Sequence, residues 1–189
     1  MKGSIVLFSA ALLLGTTGIG CTTTGARPAN AAEKQASITA SSEAALSRLY
    51  TNARGSRELV DKAAGVLVFP SVLAAGVGVG GEYGEGELRV GSAPQGFYKT
   101  VSASFGLQLG AQSKTVVFLF MTQDALEKFR TGSGWTAGID ASVAVLKVGA
   151  NGDIDTNTAT GPVIGFVTTN AGLMANVSIE GTKVSKLDL

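Results

Sequence analysis

The sequence predicts an α+β domain made mainly of antiparallel strands, with an N-terminal helical segment and one further short helix. Three observations predict it. Apolar residues between Ser41 and Ala64 recur at helical spacing, the period switches to two after Gly65, and turn-forming dipeptides punctuate the remainder. With so many strands the sheet is expected to curl into a barrel-like form, which hides strand edges.

Composition sets the outer limits. A chain of 189 residues with 45% apolar and 15% charged side chains can fill a core. Fifteen Lys and Arg against 14 Asp and Glu leave no overall field that would draw the chain onto nucleic acid. Histidine is absent, which excludes Ser-His-Asp and Cys-His catalysis and removes the commonest metal ligand. The single cysteine, Cys21, excludes an intrachain disulfide and a thiolate metal cage.

Residues 1–20 carry one charge at Lys2, an apolar run from Ile5 to Leu14 and small residues before Cys21, the pattern of an export signal peptide too short to span a bilayer. Gly18-Ile19-Gly20-Cys21 resembles the lipobox of bacterial lipoproteins, departing from it at Gly18, where leucine is usual. The resemblance implies that Cys21 is the lipid attachment site and the mature N-terminus. Thr22, in place of aspartate, implies sorting to the outer membrane. Residues 21–40 are rich in Ala, Thr and Ser, with Ile38 the one large apolar residue, so they are expected to form a flexible tether reaching roughly 25 Å.

The folded domain is expected at 41–189. Leu46, Leu49, Tyr50 and Ala53 share one helical face; after Gly55, Ser56 is placed to cap a second short helix carrying Leu59, Val60 and Ala63. Arg48, Arg54, Arg57 and Lys62 lie on the opposite faces, either as a solvated exterior or as a basic strip facing a membrane. From Gly65 onward, Val101–Leu109, Ile139–Val145 and Leu173–Ile179 alternate apolar and polar residues, as strands with one wet face do. Gly65–Phe69, Thr115–Met121 and Val163–Val167 are continuous apolar runs, expected as strands covered on both faces. Gln123–Arg130, after the cap residue Thr122, is the one helix among them.

The run AAGVGVGGEYGEGEL, from Ala74 to Leu88, contains G-x-G-x-x-G at Gly76, Gly78 and Gly81. A dinucleotide site needs a helix directly after the last glycine. Here Gly84 and Gly86 disfavour a helix, and Glu82, Glu85 and Glu87 would repel a phosphate. No nucleotide is expected. The spacing fits two adjacent strands, with Gly76, Gly78 and Gly80 leaving one face as bare backbone where the sheet bends or another element approaches closely, the N-terminal helix being favoured over a ligand to fill it. Gly76, Gly78, Gly80 and Gly81 are thus structural glycines.

The run AAGVLVFPSVLAAGVGVGGEYGEGEL (Ala63–Leu88), followed in order by FYKTVSASFGLQLGAQ, VVFLFMTQDALEKF, GWTAGIDASV and GLMANVSIEGTKV, is similar to the SYLF domain, or Ysc84 family, over essentially all of Ser41–Leu189. The family includes eukaryotic members that bind phosphoinositide membranes and in some cases actin filaments, and bacterial envelope lipoproteins; this chain resembles the bacterial lipoprotein branch. That resemblance implies a non-enzymatic domain working against lipid. Actin and phosphoinositide specificity carry over poorly to an exported chain.

Other constellations lead to plainer readings. Asn151, Gly152, Asp153, Asp155 and Asn157 crowd oxygen ligands, but an EF-hand starting at Asp153 would need glycine at Thr158 and glutamate at Ile164, so a polar turn is expected and no metal. Glu82, Glu85 and Glu87 are the only carboxylates worth weighing for hydrolysis; Glu85 and Glu87 are read as solvated, opposite Leu88 and Val90. Trp135, Phe129, Phe97 and Tyr98 could line a lipid pocket or fill the core, and the core is the default expectation. No catalytic residue and no cofactor is expected. The expected function is non-enzymatic binding of membrane phospholipid, of anionic type included, by a lipoprotein held on the outer membrane and facing the periplasm. An envelope protein partner is the alternative, and a carboxylate hydrolase stands third.

Overall fold

A computed structural model of the chain describes residues 30–106, 112–146, 154, 160–169, 172–173 and 179–189. The expected signal peptide, Cys21, the Asn151–Asn157 turn apart from Ile154, residues 107–109 of the alternating segment, and Ala175 and Val177 lie outside the described residues.

The first helix, α1, spans Ala31–Asn52, beginning ten residues before the expected boundary at Ser41. Its start is a capping box: the Asn30 side chain accepts from the Glu33 amide at 2.8 Å, and the Glu33 carboxylate accepts from the Asn30 amide at 3.3 Å. Residues 31–40, expected as part of the tether, are helical because this cap and the interactions with the sheet described below supply what the segment lacks in apolar surface. A second helix, α2 (Ser56–Lys62), follows. Gly55, at φ +84°, takes the cap position expected of Ser56. Ser56 is buried instead and donates to the Leu49 carbonyl at 3.3 Å, tying α2 to α1.

Eight strands among the described residues form one mixed, mostly antiparallel sheet curled into a half-barrel. They are β1 (Gly65–Val90), β2 (Ala93–Gly106), β3 (Gln112–Phe120), β4 (Trp135–Thr136), β5 (Val143–Val145), β6 (Val163–Thr169), β7 (Gly172–Leu173) and β8 (Lys183–Lys186). The strand order is β4-β8-β2-β1-β3-β6-β5, with β7 pairing to β6; only β5 against β6 is parallel. The third helix, α3 (Gln123–Thr131), is capped by Thr122 as expected, its hydroxyl accepting from the Ala125 amide at 3.2 Å. The expected strand Ile139–Val145 is shortened to β5; residues 138–140 make a turn and Ile139 is 79% exposed.

The glycine-rich run belongs to one 26-residue strand rather than two. The N-terminal part of β1 pairs with β3 as far as Ala74↔Gln112, and the C-terminal part pairs with β2 from Gly78↔Gly106. Between the two ladders the strand bends back over itself. A methyl on Gly86 would run into the Val68 carbonyl oxygen, and one on Gly84 would stand 2.8 Å from Val72 Cγ2 and 2.9 Å from the Ser71 carbonyl oxygen. Glycine is needed at 84 and 86 because backbone meets backbone there. A register shift between Phe69 and Val72 lets Leu67, Phe69 and Val72 all point inward across the bulge.

The sheet separates two cores. Inside the curl, Leu67, Phe69, Leu88, Phe118, Phe120 and Val163 pack with Phe129 of α3 and with Trp135. On the other face Val66, Val68, Val117, Leu119, Ile164 and Phe166 receive Ala45, Leu46 and Leu49 of α1 and Leu59 of α2. Phe69, Phe118, Phe120 and Phe166 have no exposure, each worth about 1.5–3 kcal/mol of burial. Trp135, Phe129 and Tyr98 are buried, as expected of them, and Phe97 is half-buried.

Candidate functional site

The N-terminal half of α1 crosses the C-terminal half of β1 on a ladder of polar contacts. Lys34 Nζ meets Glu85 Oε1 at 2.7 Å, the Thr39 hydroxyl donates to Glu87 Oε2 at 2.6 Å, and Arg89 Nη2 reaches Glu43 Oε1 at 3.4 Å. Steps of four or five residues along a helix and two along a strand each advance about 6–7.5 Å, so the rungs stay in phase. The N-terminal helix was expected against the bare backbone of Gly76, Gly78 and Gly80; the rungs seen here are further along β1, at Glu85, Glu87 and Arg89.

These contacts change the reading of the three glutamates. Glu87 is fully buried, not solvated: it shares a face with Glu85 opposite the buried Leu88, as expected, but α1 covers that face through Thr39, and Val90, beyond a register shift between Leu88 and Arg89, is 36% exposed. Glu87 Oε1 and Arg89 Nε lie 3.6 Å apart, and neither makes a hydrogen bond. Glu82 accepts from Ser102 at 2.8 Å and from Lys114 at 2.8 Å, spanning the bend from β1 to β3. Burial works to raise the Glu85 carboxyl, but bonds from Lys34 and from the Tyr83 hydroxyl, at 2.8 Å, outweigh it and hold the group below its ordinary value. All three carboxylates are thus engaged in holding elements together.

The four basic candidates do not converge on one site. Lys62 is exposed and bonded to Glu58 at 2.7 Å, which lowers the Glu58 carboxyl. The Arg57 guanidinium stacks over the Tyr50 ring at 4.1 Å, in an open cleft of about 470 Å³ shared with Arg89, Asp61 and Glu43. Burial raises the Tyr50 hydroxyl there, against the opposing charge of Arg57. Arg48 lines a different, smaller cleft with Lys114 and Thr168. Arg54 is exposed where the chain passes from α1 to α2. A third cleft, of about 630 Å³, lies between Gln35 of α1, Arg130 of α3 and the C-terminal residues Lys186–Leu189.

No helix among the described residues is long and apolar enough to cross a membrane, and these residues hold no group of three or more His, Cys, Asp or Glu placed to bind a metal. Of the structural glycines, Gly76, Gly78, Gly80 and Gly81 all lie in β1 with no helix after them, so the arrangement a dinucleotide requires is absent there.

A feature the sequence reading missed is the outer surface of the bend. Leu73 is 54% exposed, Tyr83 46% and Val101 50%, and Ala75 and Ala103 are exposed as well. Tyr83 pairs across the ladder with Val101, which pairs in turn with the exposed Lys183 of β8. The signal was present in the alternation at Val101 and Ala103, but alternation alone does not say which face is wet.

With this geometry in hand, comparison with known families adds one finding. Residues 101–188 match the Ysc84 family. The family is described as a Las17-binding protein actin regulator. The Ysc84 match takes in β2 from Val101, β3, α3 and all later strands; the glycine-rich bend of β1 precedes it. No curated protein matches the chain.

Proposed function

We propose that the chain is a lipid-anchored protein of the bacterial envelope whose Ysc84-matched domain binds a phospholipid surface without catalysis. The observation that carries this reading is the position of Cys21, nine residues ahead of the Asn30 cap of α1. Nine residues span at most about 30 Å, so acylation of Cys21 would keep the domain against the membrane that holds the anchor. Thr22, in place of aspartate after the cysteine, supports an outer-membrane location, with the periplasm as the side proposed for the domain. A non-catalytic role is supported by the engagement of Glu82, Glu85 and Glu87 in structural contacts, and by a Glu85 carboxyl shifted opposite to the direction a general acid requires.

The family description favours a second reading, an interaction module for an envelope protein. Flotation of residues 22–189 with vesicles of phosphatidylethanolamine and phosphatidylglycerol separates the two. Enrichment with the vesicles, with phospholipid found by mass spectrometry in the purified protein, is the expected result. Absence of both would leave the protein-partner reading in its place.

A further inference from the structure

Resting on that reading, we infer that the outer surface of the β1 bend, with Tyr83 and Val101 at its centre, is where the domain meets the phospholipid bilayer. Gly84 and Gly86 pack against Ser71, Val72 and Val68 on the inside of the bend, so Tyr83, alternating with them on the C-terminal arm, stands on its outside. Val101 and Ala103 extend that surface onto β2, and Lys183 borders it on β8. The exposed Val101 and Ala103, next to a tyrosine and a flanking lysine, suit the boundary between headgroups and acyl chains, where an aromatic ring and a long cationic stem each have one apolar and one wet end.

The place where the chain enters the domain selects lipid as the occupant. Glu85 Oε1 accepts both the Tyr83 hydroxyl, at 2.8 Å, and Lys34 Nζ, at 2.7 Å. Lys34 lies in the first turns of α1, four residues after Asn30, so the segment leading back to Cys21 starts beside Tyr83. An acyl anchor at Cys21, within about 30 Å of that point, brings this surface to the membrane first. The basic residues of α2 lie beyond the opposite end of the β1–β3 ladder, since nine strand residues, on the order of 30 Å, separate Gly65 from Ala74.

The test uses the full acylated chain in vesicles of phosphatidylethanolamine and phosphatidylglycerol, with a nitrobenzoxadiazole label on Val101→Cys or, separately, on Lys62→Cys. Both positions are exposed, and unchanged Trp135 emission verifies the fold. Brominated acyl chains are expected to quench the label at 101, with blue-shifted emission, and to leave the label at 62 largely unquenched. Equal quenching at both positions, greater quenching at 62, or quenching at neither overturns the inference. Disulfide-linked dimers through Cys at 101 without quenching would instead assign this surface to a second copy of the chain. Flotation of residues 22–189 reports on the parent reading separately: vesicle binding with an unquenched 101 label keeps lipid binding and removes this surface.

Discussion

The Thr39 hydroxyl donates to Glu87 Oε2 at 2.6 Å, fixing the middle of α1 to a carboxyl group with no solvent exposure. The contact helps explain why a helix poor in large apolar residues lies on the sheet along its first half: beside the buried Ile38 its rungs there are polar, and Ala45, Leu46 and Leu49 come later.

Thr39→Val keeps the shape and removes the donor, leaving a second buried oxygen of Glu87 without a hydrogen bond. The expected cost is about 1–3 kcal/mol. Urea unfolding should show a lower midpoint at an unchanged slope; an unchanged midpoint would mean that water replaces the hydroxyl.

Gly86→Ala and Gly81→Ala test what the glycines are for. A methyl at 86 meets the Val68 carbonyl, whereas one at 81 has open space around it. The first substitution should cost about 1–3 kcal/mol or more, as overpacking does. The second should stay within about 0.5 kcal/mol, the usual range for surface changes. Equal thermal shifts in the two variants would contradict the close-approach account.

The Glu85 carboxyl sits below its ordinary value through Lys34 and Tyr83. Its contribution is therefore present above the unfolded value, about 4.3, and is lost as pH falls through the lower folded value. The stability difference between the natural chain and Glu85→Gln should be constant near neutrality and close at acid pH, below about 4. A gap that persists undiminished at pH 2 would assign the loss to something other than the charge.

Phe129 lies 4.7 Å from Phe120, 4.9 Å from Tyr98 and 5.8 Å from Trp135, ring centre to ring centre. Phe129→Ala should cost about 3–5 kcal/mol and shift Trp135 emission to the red as water gains access. A loss under 1 kcal/mol would show that α3 contributes little to the inner core.

Much of this architecture was legible in the chain. The helical face Leu46, Leu49 and Ala53, the Thr122 cap, the continuous apolar strands and the preference for a bend over a nucleotide loop all follow from local periodicity and sterics. What was missed depended on contacts distant in sequence. Asn30 and Glu33 form a capping box visible in the sequence, yet the Ala- and Ser-rich residues after it carry too few large apolar side chains to signal a helix without Glu85 and Glu87 opposite. Glu87 was placed on the right face but read as solvated, because the α1 segment that covers this face is itself not legible as a helix before the fold is known. Ile139 alternates like a strand residue but sits in a turn, where the Asp140 carboxylate accepts from the Thr136 amide at 2.6 Å. Tyr83 and Val101 read as ordinary strand residues; only the fold shows that about half of each stays exposed.

The most direct test of the central claim, that the domain holds phospholipid through an apolar outer surface, is a salt series of vesicle flotation on residues 22–189. Above 0.5 M salt, where the screening length falls to only a few ångströms, apolar contact predicts that most of the binding seen at low salt is retained. Binding that disappears at high salt would instead point to a basic strip on α1 and α2, and its absence at every salt concentration would remove the lipid account altogether.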